Sequence, residues 1–336
     1  MKLHFLKWQL FLSLLLIASS HNALAFTFKI ATLSPDGSYW VQKLRAGGAE
    51  ITRKTEGRVK FRFYPGGVMG NDEGVLRKMR LRQLHGAAVT NAALSRIYPD
   101  IQLYNLILKF HNLQEVDYVR QRMDAELMQG LEQQGIVPMG FAEVGMAYIM
   151  SIEPIQNLDQ MRSHKIWVPN DNKVALAAME AFSITPIPLP LRDVLMGLQT
   201  GMIDVVAASP MGALALQWQT KVRYVTDIPL LYIYGVLAMD QKAFNKISKH
   251  DQRLVRSVMG RVIKDIDLRS RQDNLQATAA LKKQGIQYLK PTLKAIDELR
   301  RTIVSANRKI EREGNLSADK IDKLNTYLIE FRNKNQ

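Results

Sequence analysis

The chain has 336 residues, no cysteine and a net charge of +15. That length exceeds what one hydrophobic core usually organises and gives room for two domains. The absence of cysteine excludes disulfide scaffolds and thiol chemistry, so the core must hold the fold unaided.

Lys2 and Lys7, an apolar run over 10–18 and Ala23-Leu24-Ala25 before Phe26 form a secretory signal peptide over 1–25. Cleavage is expected after Ala25, with export to the periplasm. The apolar run is shorter than the ~20 residues a membrane-spanning helix requires. Thr27-Phe-Lys-Ile-Ala-Thr then alternates and meets Ser34-Pro-Asp-Gly37, a strand and turn. Trp40, Val41, Leu44, Ala49 and Ile51 recur at helical spacing over 38–55, and Gly57 ends that helix. A strand over 59–64, closed by Pro65-Gly66-Gly67, a helix over 72–82 and an apolar strand over 86–90 follow.

A buried strand is predicted over 136–141, then a turn at Pro154 into a short helix at Leu158-Asp159. A strand over 165–169 ends in Asn170, Asp171 and Asn172. A helix through Met179, a proline-spaced stretch over 184–190, a helix over 192–200 and an apolar strand over 201–210 repeat the helix-to-strand pattern of 84–90. Beyond an apolar strand over 230–239, Ser248 caps one long helix over 248–284, with Leu254, Val258, Val262 and Ile266 on one face. A strand over 286–289 and two charged amphipathic helices end the chain. Strands alternating with helices give an α/β fold. With no low-complexity linker, the two halves are expected to be joined by strands that cross between them.

No chemistry-bearing constellation appears. The chain lacks a Gly-x-Ser-x-Gly elbow, a phosphate loop and a His-Glu-x-x-His pair, and its histidines are scattered. Tyr64-Pro-Gly-Gly-Val-Met-Gly-Asn-Asp72 lacks the Gly-Lys-Ser/Thr ending of a phosphate loop and reads as a strand-to-helix turn. The expectation is a protein that is not an enzyme, with no cofactor and no metal site. Much of the positive excess lies in the C-terminal third, interleaved with acids as on solvated helix faces. Export removes nucleic acid as a partner, which leaves an anionic membrane surface or an acidic protein.

Three segments carry a family resemblance: Tyr64-Pro-Gly-Gly-Val-Met-Gly-Asn-Asp72, Lys165-Ile-Trp-Val-Pro169, and Pro188-Leu-Pro-Leu-Arg-Asp-Val-Leu-Met-Gly-Leu-Gln-Thr-Gly-Met-Ile-Asp204. In order and spacing, over essentially the whole mature chain, they resemble the DctP-type solute-binding proteins of tripartite ATP-independent periplasmic (TRAP) transporters. The resemblance implies a two-domain α/β periplasmic binding protein fold with crossing strands and a long domain-spanning helix, closing over one ligand. The first domain is expected over 26–144 plus about 236–270, and the second over 145–235 plus about 271–336 with the C-terminal helices. It further implies a monomeric receptor that delivers a small molecule to small and large membrane subunits.

Where the family often carries an arginine in the strand over 165–169, this chain has Trp167. Glu143-Val-Gly-Met-Ala147 stands for Glu-Asn-Gly-x-Arg, and Ala208-Ser209-Pro210 for Glu-Asn-Pro; Asn91 replaces a frequent acid. By family position Trp167, Ala147, Tyr148, Ser209, Asn91, Thr32 and Leu191 face the ligand, while Trp40 and Trp218 read as helix core. A carboxylate buried without its arginine costs several kcal/mol, so the expected ligand is neutral or largely hydrophobic, lying on the flat face of Trp167. A cation would want Glu143 or Asp72 nearby, or an aromatic cage. Two alternatives stay open: a protein that presents its ligand to a sensor or carries a lipid, and an organic-acid receptor with a rearranged anion site.

Overall fold

The computed structural model describes residues 25–170, 172–313 and 316–335. The expected leader, apart from Ala25, and Asp171 lie outside them. In chain order the elements begin with β1 (Phe26–Thr32), α1 (Tyr39–Lys54), β2 (Val59–Tyr64), α2 (Asp72–Arg80) and β3 (Gly86–Thr90). Two 3-10 helices, Asn91–Arg96 and Pro99–Asn105, lead into α3 (Leu113–Gln133) and β4 (Ile136–Ser151). Next come α4 (Leu158–Arg162), β5 (Trp167–Pro169), α5 (Lys173–Ala181), β6 (Ile187–Leu189), α6 (Val194–Thr200), β7 (Val205–Ala208) and α7 (Pro210–Ala215). The chain closes with β8 (Tyr224–Asp240), α8 (Gln241–Phe244), α9 (Lys249–Lys283), β9 (Gln287–Leu289), α10 (Leu293–Glu313) and α11 (Ala318–Lys334).

One sheet runs through the molecule in the order β2-β1-β3-β8-β4-β7, with β9 added to β8. β1 pairs in parallel with β2 and β3, as expected for strands returned by helices. The strands that cross between the lobes are β4 and β8. They are antiparallel from Ile136↔Asp240 to Ser151↔Tyr224, with register shifts between Pro138 and Phe141, Glu143 and Gly145, and Ala147 and Ile149. Both are far longer than the strands expected over 136–141 and 230–239, because the bulges break the alternation by which a strand is read. The lobes are also less alike than the sequence implied. β5 and β6 form their own ladder and touch the main sheet through the single bridge Ile166↔Val205.

Helix α1 starts at Ser38, whose hydroxyl caps Val41 N–H, and buries Val41, Leu44 and Ile51. Trp40 lies against Gly235 of β8, where a Cβ would come within 2.7 Å of the indole, so it belongs to the first lobe's packing. Ser248 caps α9 as expected, and the helix spans about 52 Å at ~1.5 Å per residue. Its first half buries Val255, Val258, Met259, Val262 and Ile266 in the first lobe's core, and Leu281 reaches the core of the second. α10 packs on α5 of the second lobe, whereas α11 returns to α3 of the first. No helix among the described residues is long and apolar enough to cross a membrane.

Candidate functional site: the cavity between the lobes

A cavity of about 310 Å³ opens where β4 and β8 pass from one lobe to the other. The crossing strands supply Val144, Ala147 and Ile149 from β4 and Leu230, Leu231 and Ile233 from β8. The first lobe adds Leu33, Asp72, Thr90, Asn91 and Asn105. The second adds Trp167, Met179, Leu191, Ser209 and Trp218. Among the described side chains no lysine, arginine or histidine lines the cavity, and the charged ones that do are Asp72 and Glu73. Among the described residues no group of three or more His, Cys, Asp or Glu could hold a metal ion.

Of the seven expected positions, Trp167, Ala147, Ser209, Asn91 and Leu191 come together around this space. Trp167 is 6% exposed, crosses the Trp218 ring edge-to-face at 5.3 Å, and donates its indole N–H to Leu189 C=O at 3.0 Å. It is therefore wall and core at once, and its polar atom is already used. Trp218, expected in helix core, is buried beneath it and also borders the cavity. The Ser209 hydroxyl accepts from Gly212 N–H at 3.1 Å and caps α7.

The other two, Thr32 and Tyr148, do not border the cavity. Thr32 spends its hydroxyl on Ser34 N–H at 3.1 Å, and its neighbour Leu33 takes the place. Tyr148 lies in the irregular stretch of β4 between Ala147 and Ile149 and packs outside the cavity lining. There burial and the nearby Asp227 push its hydroxyl up. Glu143, considered as a partner for a cation, also faces away: Arg271 of α9 holds it at 3.0 Å.

That ion pair belongs to a charged cluster at the crossing. Arg120 of α3 bonds Asp124 at 3.0 Å, Asp267 of α9 at 2.8 Å, the Tyr232 hydroxyl at 2.9 Å and Phe141 C=O at 3.1 Å. Glu143 N–H donates to Asp267 at 2.7 Å, and Arg271 also grips Asp117. Burial pushes the Glu143 carboxyl up while Arg271 pulls it down. The cluster ties α3, β4, β8 and α9 together where the chain passes between lobes.

At the first-lobe end of the cavity lie two buried oxygens without partners, Asp72 Oδ1 and Asn91 Oδ1. Asp72 opens α2, and its other oxygen accepts from the Thr90 hydroxyl at 3.2 Å. Burial pushes its carboxyl up to about 6, and the bonds from Thr90 only partly offset this. Asn91 donates to Ile101 C=O at 3.0 Å and to Asn105 Oδ1, and Asn105 donates to Tyr232 C=O at 2.6 Å. Asn105 was not singled out in the sequence. Its role depends on a 3-10 turn that leaves no periodic signal.

Two α/β lobes joined by crossing strands and a spanning helix around one cavity define a periplasmic-binding-protein architecture. The model of the bacterial extracellular solute-binding proteins, family 7 (DctP), matches residues 30–313, and the chain belongs to that family. It is a solute-binding receptor rather than an enzyme. Among curated relatives, the uncharacterised YiiZ protein of Salmonella typhimurium is 22% identical over 217 residues, 63% of this chain and 65% of that one. The sialic acid-binding periplasmic protein SiaP of Vibrio cholerae is 22% identical over 192 residues, 56% of this chain and 58% of that one. The solved TRAP periplasmic solute-binding protein of Haemophilus influenzae with bound L-gulonate superposes with a TM-score of 0.83 at 18% identity, covering 90% of this chain and 99% of that one.

Proposed function

We propose that this protein is the periplasmic receptor of a TRAP-type transporter. On this reading it captures in the interlobe cavity a small molecule that is not a simple carboxylate and delivers it to membrane permease subunits. The lobes are taken as 26–144 with about 236–270 and the returning helix α11, and 145–235 with about 271–313, exported by the leader over 1–25. Family membership supports the receptor role. The observation that carries the ligand class is a cavity lined, among the described side chains, by apolar groups, asparagines, the hydroxyls of Thr90 and Ser209 and two acids, with no base. A carboxylate there would meet no guanidinium, and the desolvation of an unpaired buried charge costs several kcal/mol. That cost would offset much of the ~8 kcal/mol of a micromolar complex.

The L-gulonate held by the Haemophilus influenzae neighbour favours a second reading, an organic-acid receptor with a rearranged anion site. Against it stands the lining, whose described side chains offer an anion neutral hydroxyl, amide and indole donors but no base. Native mass spectrometry of protein purified from its own periplasm, with extraction of what co-purifies, separates the two. A neutral or nitrogenous, ring-bearing compound is expected. A sugar acid or dicarboxylate in the cavity would sink the first reading and establish the second.

A further inference from the structure

We propose that the ligand is an organic amine, its ammonium group seated against Asp72 and Asn91 and its apolar body lying along Trp167, Ile149, Leu230 and Ile233. The proposal rests on the reading of the cavity as the binding site and adds the group that anchors the ligand.

Two observations at the first-lobe end of the cavity are independent of each other. The first is the direction of the amides. Asn105 must turn its NH₂ toward Tyr232 C=O, at 2.6 Å, because a carbonyl can only accept. Its Oδ1 therefore faces Asn91, which must answer with NH₂, and that same nitrogen also reaches Ile101 C=O at 3.0 Å. Neither amide can flip without setting oxygen against oxygen. The free end of the relay is thus an oxygen, Asn91 Oδ1, on a residue that is fully buried and has no partner there.

The second observation is Asp72, whose Oδ1 is also buried and unpartnered. The charges around it do not neutralise it. Glu73, next to it on α2, is held by Arg96 at 3.4 Å, and Lys78 is committed to Met69 C=O at 2.6 Å. From β3 it is reached by Thr90, through its hydroxyl and its backbone N–H. Both residues border the cavity, a ligand's N–H groups are what either orphaned oxygen lacks, and a positive charge would complement Asp72 in a lining whose described side chains include no base. A carboxylate would bring further acceptors to an end that already has two unmet ones. The raised Asp72 carboxyl agrees with this, since a bound cation would return it to the ionised form.

Three indole probes with an ethyl side arm test the proposal: tryptamine, the alcohol tryptophol and the acid indolepropionate, titrated calorimetrically into the full-length mature protein. Tryptamine is expected to bind at least about tenfold more tightly than tryptophol, with indolepropionate weakest. In Asp72→Asn that preference is expected to disappear. In the unaltered protein the preference should decay by up to about tenfold per pH unit below about 6, as Asp72 takes up a proton while the amine stays charged. This profile decides the matter even if Asp72→Asn does not fold. Equal affinity for amine and alcohol, a preference that survives Asp72→Asn, or no tryptamine binding at about 1 mM would overturn the amine and leave the non-acid reading standing. Tightest binding by indolepropionate would overturn both.

Discussion

Asp72 is stabilising for the fold only when neutral, which sets an opposition between folding and binding. Its carboxyl is raised from the ordinary 3.8 to about 6 by burial, so the folded state holds the proton more tightly than the unfolded chain does. Its contribution to stability is therefore fully present below about pH 4, declines as pH rises to about 6, and is level above that. The difference corresponds to about 3 kcal/mol at most, since local relaxation reduces it. Asp72→Asn keeps an acceptor for Thr90 and removes the penalty, though it loses a favourable charge at the start of α2. We expect the ligand-free variant to be about 1–2 kcal/mol more stable than the parent at neutral pH and indistinguishable from it near pH 4. Urea unfolding at both pH values checks this, and a gap that persists at the lower pH would assign the effect to packing. Trp167 is the opposite case, a cavity wall that also holds the second lobe together. Trp167→Phe removes the bond to Leu189 and part of the contact with Trp218. A loss of about 1–3 kcal/mol in unfolding free energy is expected.

The crossing strands bend where β4 departs from regular pairing, and Gly145 shows what that bend demands. Its φ is +122°, and a Cβ there would lie 2.6 Å from Asn274 Nδ2 of α9. Asn274 is no spectator: it donates to Val144 C=O at 2.9 Å and accepts from Met211 N–H at 3.1 Å, joining α9 to β4 and to α7. Gly145→Ala is expected to cost about 2–3 kcal/mol through strain and through displacement of that side chain. Because the two residues meet, Gly145→Ala and Asn274→Ala should be non-additive, the double variant losing at least about 0.5 kcal/mol less than the sum. A double-mutant cycle by denaturant unfolding measures it, and strict additivity would mean the clash does not govern the cost. The same bend explains what was legible in the sequence. Alternation and caps gave β1, α1, β2, α2, β3 and α9 nearly to their ends, because each obeys one period. The bulges of β4 hid its length, and they sit where facing decides function. Ala147 and Tyr148 were read alike from the sequence, yet Ala147 borders the cavity and Tyr148 does not, a difference set at the register shift between Ala147 and Ile149. Asn91 was found by family position. The direction of its oxygen follows from Asn105 and two distant carbonyls, which no local pattern records.

At the scale of the whole molecule, the lobes are held by more than the two strands and the helix that cross between them. The tail leaves the second lobe along α10 and returns to the first as α11, burying Ile321, Leu324 and Leu328 there. It carries cations to two buried acids of the first lobe. Arg332 reaches Glu115 of α3 at 2.8 Å, and Lys320 reaches Asp100 at 3.2 Å, the two carboxylates being 3% and 4% exposed. Ser317 adds two bonds of 2.7 Å to Asp100 through its N–H and hydroxyl. Breaking a buried pair by removing one partner leaves a charge without compensation, which costs more than the pair contributes. The first lobe is therefore completed by residues 217 positions downstream of the acids they contact. Arg332→Ala should destabilise the protein by about 2–4 kcal/mol, discounted from a fully buried pair because the arginine is one-third exposed. Arg332→Ala combined with Glu115→Gln should recover part of that loss, since the stranded charge is gone. Amide hydrogen exchange locates the effect: in Arg332→Ala, faster exchange is expected in α3 and the 3-10 turn over Pro99–Asn105, with β5, β6 and α6 unchanged. Exchange that quickens in the second lobe instead would mean that the tail supports α5 rather than α3.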